Sequence, residues 1–570
     1  MTRTIKILVN KRDYTDYEFI EPETNNPLDS DDYKFIDPLK EKLFTRDYLI
    51  IDDKEYIVKH SYIRTTAKMA GVLILENNKT YGRTSNNKRL LYRCIPDDKR
   101  LPVFLVPYDI KNNFNKKQTN KYVVFEFDNW KNKHPEGKLV LTIGDINILE
   151  NFYEYQLYCK TLNISISQFN KDVKNVLKLK SEQNMEDIIF NNSNYKIKDR
   201  TNDVIITVDP ENSYDFDDGL SVEKKDDGTY KVSIYISNVY VWLDMLNVWG
   251  SFSNRVSTIY LPDYRRPMLP TLLSEQLCSL QSKKKRFAVA TDFIVDSYGE
   301  ILSVEYVNCM ICVQKNYVYE DTELLKRKDY NQLLMLASKK DNDVLTSHEV
   351  IAYWMKQYNI STGLTMYDNK IGIFRSVKYV ENIKRELKDD FSKNTLMVIK
   401  NWNNVSGNYL NYNEDMEMRH DVLDLKAYIH MTSPIRRLVD LLNQILFLNK
   451  MKLITGNSEN ANMFLNKWLT ELEYINKSMR SIKKIQNECN LLNLCFIQPE
   501  ILNTEYLGVI FDKIKKSDGT YNYMVFLEKI NVLYRYISPI EFKNYSKHKF
   551  KLFIFYNADK FKKKIRIQHI

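Results

Sequence analysis

Five carboxylates crowd into ten residues, Asp209, Glu211, Asp215, Asp217 and Asp218, within the stretch DPENSYDFDDG and with no Lys or Arg among them. Side chains this close repel one another, and taking them out of water is costly unless cations or hydrogen bonds compensate. Hard oxygen ligands of this kind suit Mg2+, with Mn2+ as the alternative, and such ions bridge to substrate phosphates. Two of them can activate a water and hold the leaving oxygen of an in-line phosphoryl displacement. Plainer readings compete. A lone DxDD is more often a solvated loop. A calcium loop fits badly, because Gly219 comes one place too early after Asp215 and no Glu stands at the twelfth position. A phosphatase of the DxDxT type needs its Asp directly after a buried strand, whereas Asp215 follows Asn212-Ser213-Tyr214, which is turn chemistry.

The elements around the carboxylates are legible in outline. An apolar run, Val204 to Val208, delivers the chain into Asp209, and Tyr230 to Val241 alternates as a strand. Pro262, Pro267 and Pro270 impose an extended path after Tyr260. Beyond about residue 320 the apolar period becomes that of helices, which would pack around a sheet. Thr432 and Ser433, followed by Pro434, predict an N-cap and a helix through Asn449, with free N–H groups offered to phosphate and Arg436 one turn in. Cys309 and Cys312 lie in a strand-like segment with no second pair, so they read as structural. His420 and His430 lack a third ligand, so no zinc site is expected.

The order of these blocks carries a resemblance. DPENSYDFDDGL, then VSIYISNVYVWL, then STIYLPDYRRPMLPTLLSEQLCSL, then AYIHMTSPIRRLVDLLNQIL, is similar to the ribonuclease II/R (RNB) family of exoribonucleases, Dis3-like members included. The resemblance implies that Asp209, Asp215, Asp217 and Asp218 hold the metals, with Asp217 and Asp218 the most sensitive to change. It implies that Arg436 neutralises charge at the scissile phosphate, that Tyr260 stacks on the 3′-terminal nucleotide, and that Arg437, Thr432 and Ser433 contact RNA. Three departures stand out. Asn238 replaces an Asp usual in the family, Leu438 an aromatic, and Gln444-Ile445 a His-Arg pair.

The implied fold is multidomain α+β. Residues 1–58 are expected as an extended, poorly defined N-terminal arm. Residues 59–155 form a cold-shock-like OB barrel, marked by Trp130, Pro135, Gly137 and Gly144, and 156–195 a helical connector. Residues 196–500 make the RNB catalytic domain, a sheet surrounded by helices, and 501–570 a C-terminal S1-like OB barrel. Phe125, Phe127 and Trp130 could stack bases, but alternating strand aromatics are more often core.

Composition agrees with a globular, multi-core chain: 570 residues, 44% hydrophobic and 28% charged. The net charge is +10, and residues 502–570 hold 14 Lys/Arg against 6 Asp/Glu, so most of the excess is C-terminal and suits a polyanion. The polar start argues against a signal peptide, and no apolar run approaches the roughly 18 residues of a membrane span. Seven scattered cysteines predict a reducing compartment, which we expect to be the cytoplasm.

From residues and resemblance together, the expected activity is 3′→5′ hydrolysis of single-stranded RNA to nucleoside 5′-monophosphates with a divalent metal. The rival is an RNB-fold RNA-binding or scaffold protein with weakened chemistry. A metal phosphatase or DNA exonuclease leaves the TSPIRR and YLP blocks unexplained. An RNA-decay complex or a helicase is the class of partner the resemblance leaves open, with no membrane partner. In bacterial relatives a second aromatic shares the base clamp with the residue matching Tyr260. Here the interval Leu325 to Ser347 offers only Tyr330, so a looser clamp is expected.

Overall fold

A computed structural model describes residues 3–53, 55–65, 68–84, 88–110, 118–178, 182–377, 391–403, 407–421, 423–516, 518–557 and 562–570. The chain divides into two compact units. The first comprises 1–163, 487–506 and 549–570; the second comprises 164–486 and 507–548.

The first unit begins with an ordered sheet, not the extended arm expected for 1–58. Arg3–Val9 lies between Tyr17–Ile20 and Tyr48–Asp52, and Glu55–His60 forms an edge. Ile5, Ile7 and Val9 alternate into a core shared with Phe19, Leu49 and Ile51. The pattern is hard to see in sequence because much of that core comes from loops: Tyr14, Tyr33 and Phe44 lie outside the strands. Asp47 is buried and accepts the Phe44 N–H at 2.8 Å. Burial lifts its carboxyl to about 6, against the Phe44 N–H that it accepts.

Next comes the five-stranded closed barrel of the expected OB type, with Met69–Leu73, Leu91–Pro96, Phe104–Pro107, Glu136–Asp145 and Lys121–Asn129 in ring order. Phe125 and Trp130 are buried in its core and Phe127 packs against them, so these aromatics serve packing. Gly137 permits the close approach: a Cβ there would meet the Phe125 ring at 2.8 Å and the Glu126 carbonyl at 3.0 Å. Helix Leu149–Cys159 covers the barrel, Tyr155 stacking on Tyr122 at 4.2 Å.

The second unit contains the element that places the carboxylates. The expected sheet closes on itself, with Lys198–Asp209, Asp218–Lys224, Tyr230–Ser237, Lys285–Val295 and Ile301–Val318 forming a barrel. The first and last strands run parallel and bring Asp209 opposite Val318. Helices Lys328–Lys340, Ser347–Asp368 and Leu438–Lys450 belong to the same unit. The last is buried on nearly every side, as its near-continuous apolar sequence requires. Arg286, fully buried, pairs with Glu182 and Glu186 and ties helix Glu182–Asn191 to the barrel.

The C-terminal strands are shared between the two units. The meander Glu505–Lys515, Tyr521–Leu527 and Val532–Ser538 lies mostly in the second, where Val509, Phe511, Met524 and Phe526 pack with Phe391 and Ile399. In the first lies most of the hairpin Ser546–Asn557 with Lys562–His569. Among the described residues no helix is long and apolar enough to cross a membrane.

Candidate active site

Strand Lys198–Asp209 ends at Asp209, whose carbonyl accepts the Tyr319 N–H at 3.2 Å. The chain then turns through Pro210 to Ser213, with Asn212 in the left-handed region (φ 64°), and Glu211 points to solvent. The return path is pinned from outside. Ser279 Oγ accepts the Phe216 N–H (3.1 Å) and donates to the Tyr214 carbonyl (2.7 Å), and the Leu280 N–H reaches the Phe216 carbonyl (3.0 Å). Asp218 opens the next strand, and the Ser237 N–H holds the Asp217 carbonyl at 2.8 Å. The apolar strand and its acidic turn thereby become a shelf for four carboxylates, Asp209, Asp215, Asp217 and Asp218.

Asp217 is 2% exposed and fully engaged. The Ile435 N–H donates to its Oδ1 at 2.9 Å and Arg436 Nε to its Oδ2 at 3.0 Å. Asp215 faces another cation: Arg265 binds its Oδ1 at 2.6 Å and bridges to Glu275, while the Tyr260 hydroxyl lies 3.4 Å from its Oδ2. Asp209 differs. Its Oδ2 is buried with no hydrogen-bond partner.

Burial raises three of these carboxylates. Burial first, then Asp218 and Asp217, hold Asp209 well above the ordinary carboxylate range. Asp217 is pushed up to about 8 by burial, with Arg436 opposing, and Asp218 to about 6 by burial against Arg436 and Arg437. Among the described residues no three His, Cys, Asp or Glu side chains converge as a finished metal shell. The donor set fits a divalent cation nonetheless. A buried carboxylate oxygen without a partner, beside a second carboxylate that repels it, lacks a positive charge. Mg2+ commonly uses one or two carboxylates and fills its shell with water and substrate phosphate.

Arg436 sits on a turn, and here the expected N-cap is corrected. The helix begins at Leu438, not at Pro434. Arg436 and Arg437 N–H groups fold back to the Ser433 carbonyl (3.3 and 3.0 Å), and Arg437 is extended (φ −134°, ψ 126°), bridged to Ser257. That extended residue breaks the helical path. Ser433 Oγ instead accepts Arg436 Nη2 at 2.9 Å, and Thr432 Oγ1 lies 3.5 Å from Arg437 Nη2. Two further bonds tie the turn to the segment carrying Tyr260. The Arg436 carbonyl accepts from the Thr258 N–H (3.0 Å) and from Ser257 Oγ (2.9 Å). Tyr260, 39% exposed, and Arg436 are thus positioned by one short ladder.

Sequence reasoning missed three neighbours. Asp440, fully buried, accepts the Ser433 N–H and Arg437 Nη2, both at 2.8 Å, and so braces the arginine turn. Its position, one helical turn after Arg437, was the available signal. Arg265 answers Asp215, as the YRRP string could have suggested. Tyr319, whose hydroxyl burial, Asp218 and Asp209 raise to about 12, stands beside the carboxylates with its ring 5.0 Å from His348. It lies just past a strand end, where sequence gives no signal. Tyr330 is 1% exposed, so it cannot face a nucleotide.

The family departures are absorbed structurally. Gln444 Oε1 accepts the Val239 and Tyr240 N–H groups (3.1 and 3.3 Å) and its Nε2 donates to the Ser237 carbonyl (2.8 Å). Asn238 caps the same helix, Val239–Met245, accepting the Val241 N–H at 3.3 Å and donating to Asn308 at 2.9 Å. Cys309 is buried and donates to the Ala288 carbonyl at 3.4 Å.

A closed barrel with acidic residues at a strand end and an arginine turn against them defines the class, and sequence comparison agrees. Residues 197–370 match the RNB domain, and 91–154 match the Dis3-like cold-shock domain 2. The chain thus carries an RNB domain and a Dis3-like cold-shock domain 2. It is similar to the DIS3-like exonuclease 2 of Schizosaccharomyces pombe, 30% identical over 218 residues, which are 36% of this chain and 23% of that protein. The exosome complex exonuclease dis3 of the same yeast is 26% identical over 293 residues, 48% of this chain and 29% of that one. These matches span about a quarter of the relatives' length. Among solved structures, Mycoplasma genitalium RNase R in complex with ribose-methylated single-stranded RNA shares the fold, with TM-score 0.63, 16% identity, and coverage of 97% of this chain and 98% of that one. So does yeast Ssd1, a pseudonuclease, with TM-score 0.58, 14% identity, and 94% and 78% coverage.

Proposed function

We propose that this protein is a 3′→5′ hydrolytic exoribonuclease that shortens single-stranded RNA and releases nucleoside 5′-monophosphates with Mg2+, or alternatively Mn2+. One observation carries the reading: Arg436 and Asp217 meet at 3.0 Å beside Asp209, whose buried oxygen has no partner. Asp209 and Asp218 would hold the cation, with Asp215 and Asp217 completing or orienting the acidic shelf. A divalent ion bound there supplies Lewis-acid polarisation of the phosphoryl group and lowers the pKa of water.

The protein's own groups do the rest. Asp217 aims the Arg436 fork, which neutralises charge developing on the phosphate oxygens. Ser433 and Asp440 keep that turn from relaxing. Tyr260 offers an exposed ring to the terminal base, and Thr432 and Arg437 lie on the same turn for the backbone. An RNA-decay complex or helicase is the kind of partner we propose, in the cytoplasm.

A second reading, an RNB-fold RNA-binding protein without chemistry, is favoured by the fold shared with a pseudonuclease and by Asn238 in place of an Asp. The complete set Asp209, Asp215, Asp217, Asp218 and Arg436 weighs against it. Incubation of unlabelled single-stranded RNA with Mg2+ or with EDTA separates the two. Chromatography should find 5′-monophosphates with Mg2+ alone. Intact RNA under every metal condition would favour the second reading.

A further inference from the structure

The short ribbon that carries Tyr260 gives two neighbouring arginines two different tasks. Ile259–Tyr260 pairs with Arg265–Arg266, which sets Tyr260 directly opposite Arg265 and Ile259 opposite Arg266. Successive residues of a strand face opposite ways, and these arginines obey that rule. Arg266, 6% exposed, closes the turn: it binds the two oxygens of Asp263 at 3.0 and 2.9 Å and the Tyr264 carbonyl at 3.0 Å.

Arg265 turns instead to the carboxylate shelf. Its Nη1 donates to Asp215 Oδ1 at 2.6 Å, and its Nη2 lies 2.5 Å from Glu275 Oε1. Its guanidinium also stands 5.2 Å from the centre of the Tyr214 ring. The Tyr260 hydroxyl lies 3.4 Å from Asp215 Oδ2. Each oxygen of Asp215 is therefore taken by one member of a single cross-strand pair. Asp209 is the opposite case, with a buried oxygen that no group holds. A cation reaching for Asp215 has to displace an arginine that already neutralises it; at Asp209 it displaces nothing.

We propose that Arg265 is a positioning residue that withholds Asp215 from the divalent cation. Asp215 then serves the Tyr260 side of the site, and the cation rests on Asp209 and Asp218. This departs from the expectation that all four aspartates hold metal, and it rests on the metal-dependent reading of the site. Two carboxylates leave the remaining coordination places to water and substrate phosphate, a pattern common for Mg2+. Glu275, bound to the same guanidinium, keeps Arg265 in place beside the shelf.

The test is Mn2+ binding to the metal-stripped, full-length protein, followed by electron paramagnetic resonance with no RNA present. Arg265→Gln releases Asp215 and removes a positive charge, so Mn2+ should bind about ten-fold more tightly. Arg265→Lys keeps the charge and should stay within about three-fold of wild type. With Asp215→Asn also present, Arg265→Gln should lose most of its gain, because the released ligand is gone. Glu275→Gln leaves Arg265 to Asp215 and should weaken Mn2+ by about three-fold. Damage to the fold weakens binding in every variant, so opposite shifts in Arg265→Gln and Glu275→Gln report the arginine itself. Glu275→Gln, at a partly exposed carboxylate, also decides the matter if Arg265→Gln does not fold: unchanged or tighter Mn2+ binding there would overturn the proposal. Mn2+ affinity of a folded Arg265→Gln equal to or below wild type would overturn it too, as would a full gain that persists with Asp215→Asn. No Mn2+ bound by any of these proteins would sink the cation reading itself, and this proposal with it.

Discussion

Arg436 Nε lies 3.0 Å from Asp217 Oδ2, and the Ile435 N–H holds the other oxygen of the same carboxylate at 2.9 Å. Two segments 219 residues apart in sequence are joined by this one buried carboxylate. Asp217 is 2% exposed, whereas the Arg436 side chain is 41% exposed. The carboxylate is therefore the fixed partner, and the guanidinium keeps donors free for a substrate.

Arg436→Lys keeps the charge and loses the planar fork. Turnover should fall by on the order of 10² while RNA affinity changes by a few-fold. Arg436→Ala should also leave Asp217 buried and unpaired. Because the arginine is partly open to solvent, we expect about 1–3 kcal/mol of lost stability, below the range for fully buried pairs. Single-turnover kinetics and thermal melts check both. Arg436→Lys turnover equal to wild type removes the arginine from the chemistry.

Asp218→Asn keeps shape and removes one negative charge from the pair nearest the orphaned Asp209 oxygen. RNA binding should stay within a few-fold and turnover should drop by on the order of 10² or more. Near-normal hydrolysis with an unchanged metal titration would count against Asp218 as a ligand.

The raised carboxylates also predict how stability varies with pH. Unfolded, Asp217 and Asp218 ionise near about 3.9; folded, they ionise near about 8 and about 6. Between these values the folded protein holds protons that the unfolded chain has lost, so metal-free stability falls as pH rises through that window. Melting temperature in EDTA should drop from pH 5 to pH 8 more for wild type than for Asp218→Asn. Mg2+ should raise the wild-type value more at pH 8 than at pH 5. Parallel profiles for the two proteins, with no Mg2+ response, would contradict this assignment.

Much of this site was legible. The carboxylates stood out by residue type and spacing, whereas Tyr260 and Arg436 were named by the resemblance to the RNB family. What stayed hidden depends on three-dimensional closure. Arg265 acts by pairing with Asp215, 50 residues away in the chain, and nothing in its own surroundings in sequence names that partner. The helix start moved from Pro434 to Leu438 because Arg437 is drawn into a bridge with Ser257, a residue remote in sequence. The N-terminal sheet escaped because residues outside its strands, Tyr14, Tyr33 and Phe44, supply part of its core. The C-terminal stretch 501–570, read as one barrel, supplies the strands of a single five-stranded sheet.

Tyr330 is buried, so Tyr260 lacks the one partner the sequence offered for the base clamp. Base stacking is worth roughly 1–3 kcal/mol per base, so a single face should hold short RNA loosely. Under single-hit conditions a 5′-labelled oligonucleotide should end in several product lengths, and Tyr260→Ala should broaden them further. One sharp end product, untouched by Tyr260→Ala, would mean that another residue holds the base.

Paired end-labelling tests directional hydrolysis at the Asp209–Asp218 shelf. The same single-stranded RNA, labelled at its 3′ or 5′ end, is incubated with Mg2+ and either wild-type protein or Asp218→Asn. We predict immediate release of the 3′ label as a mononucleotide, a descending ladder from the 5′ label, and neither in EDTA or with the variant. Release of the 5′ label first, internal fragments from both labels, or an Asp218→Asn protein as active as wild type would contradict the account.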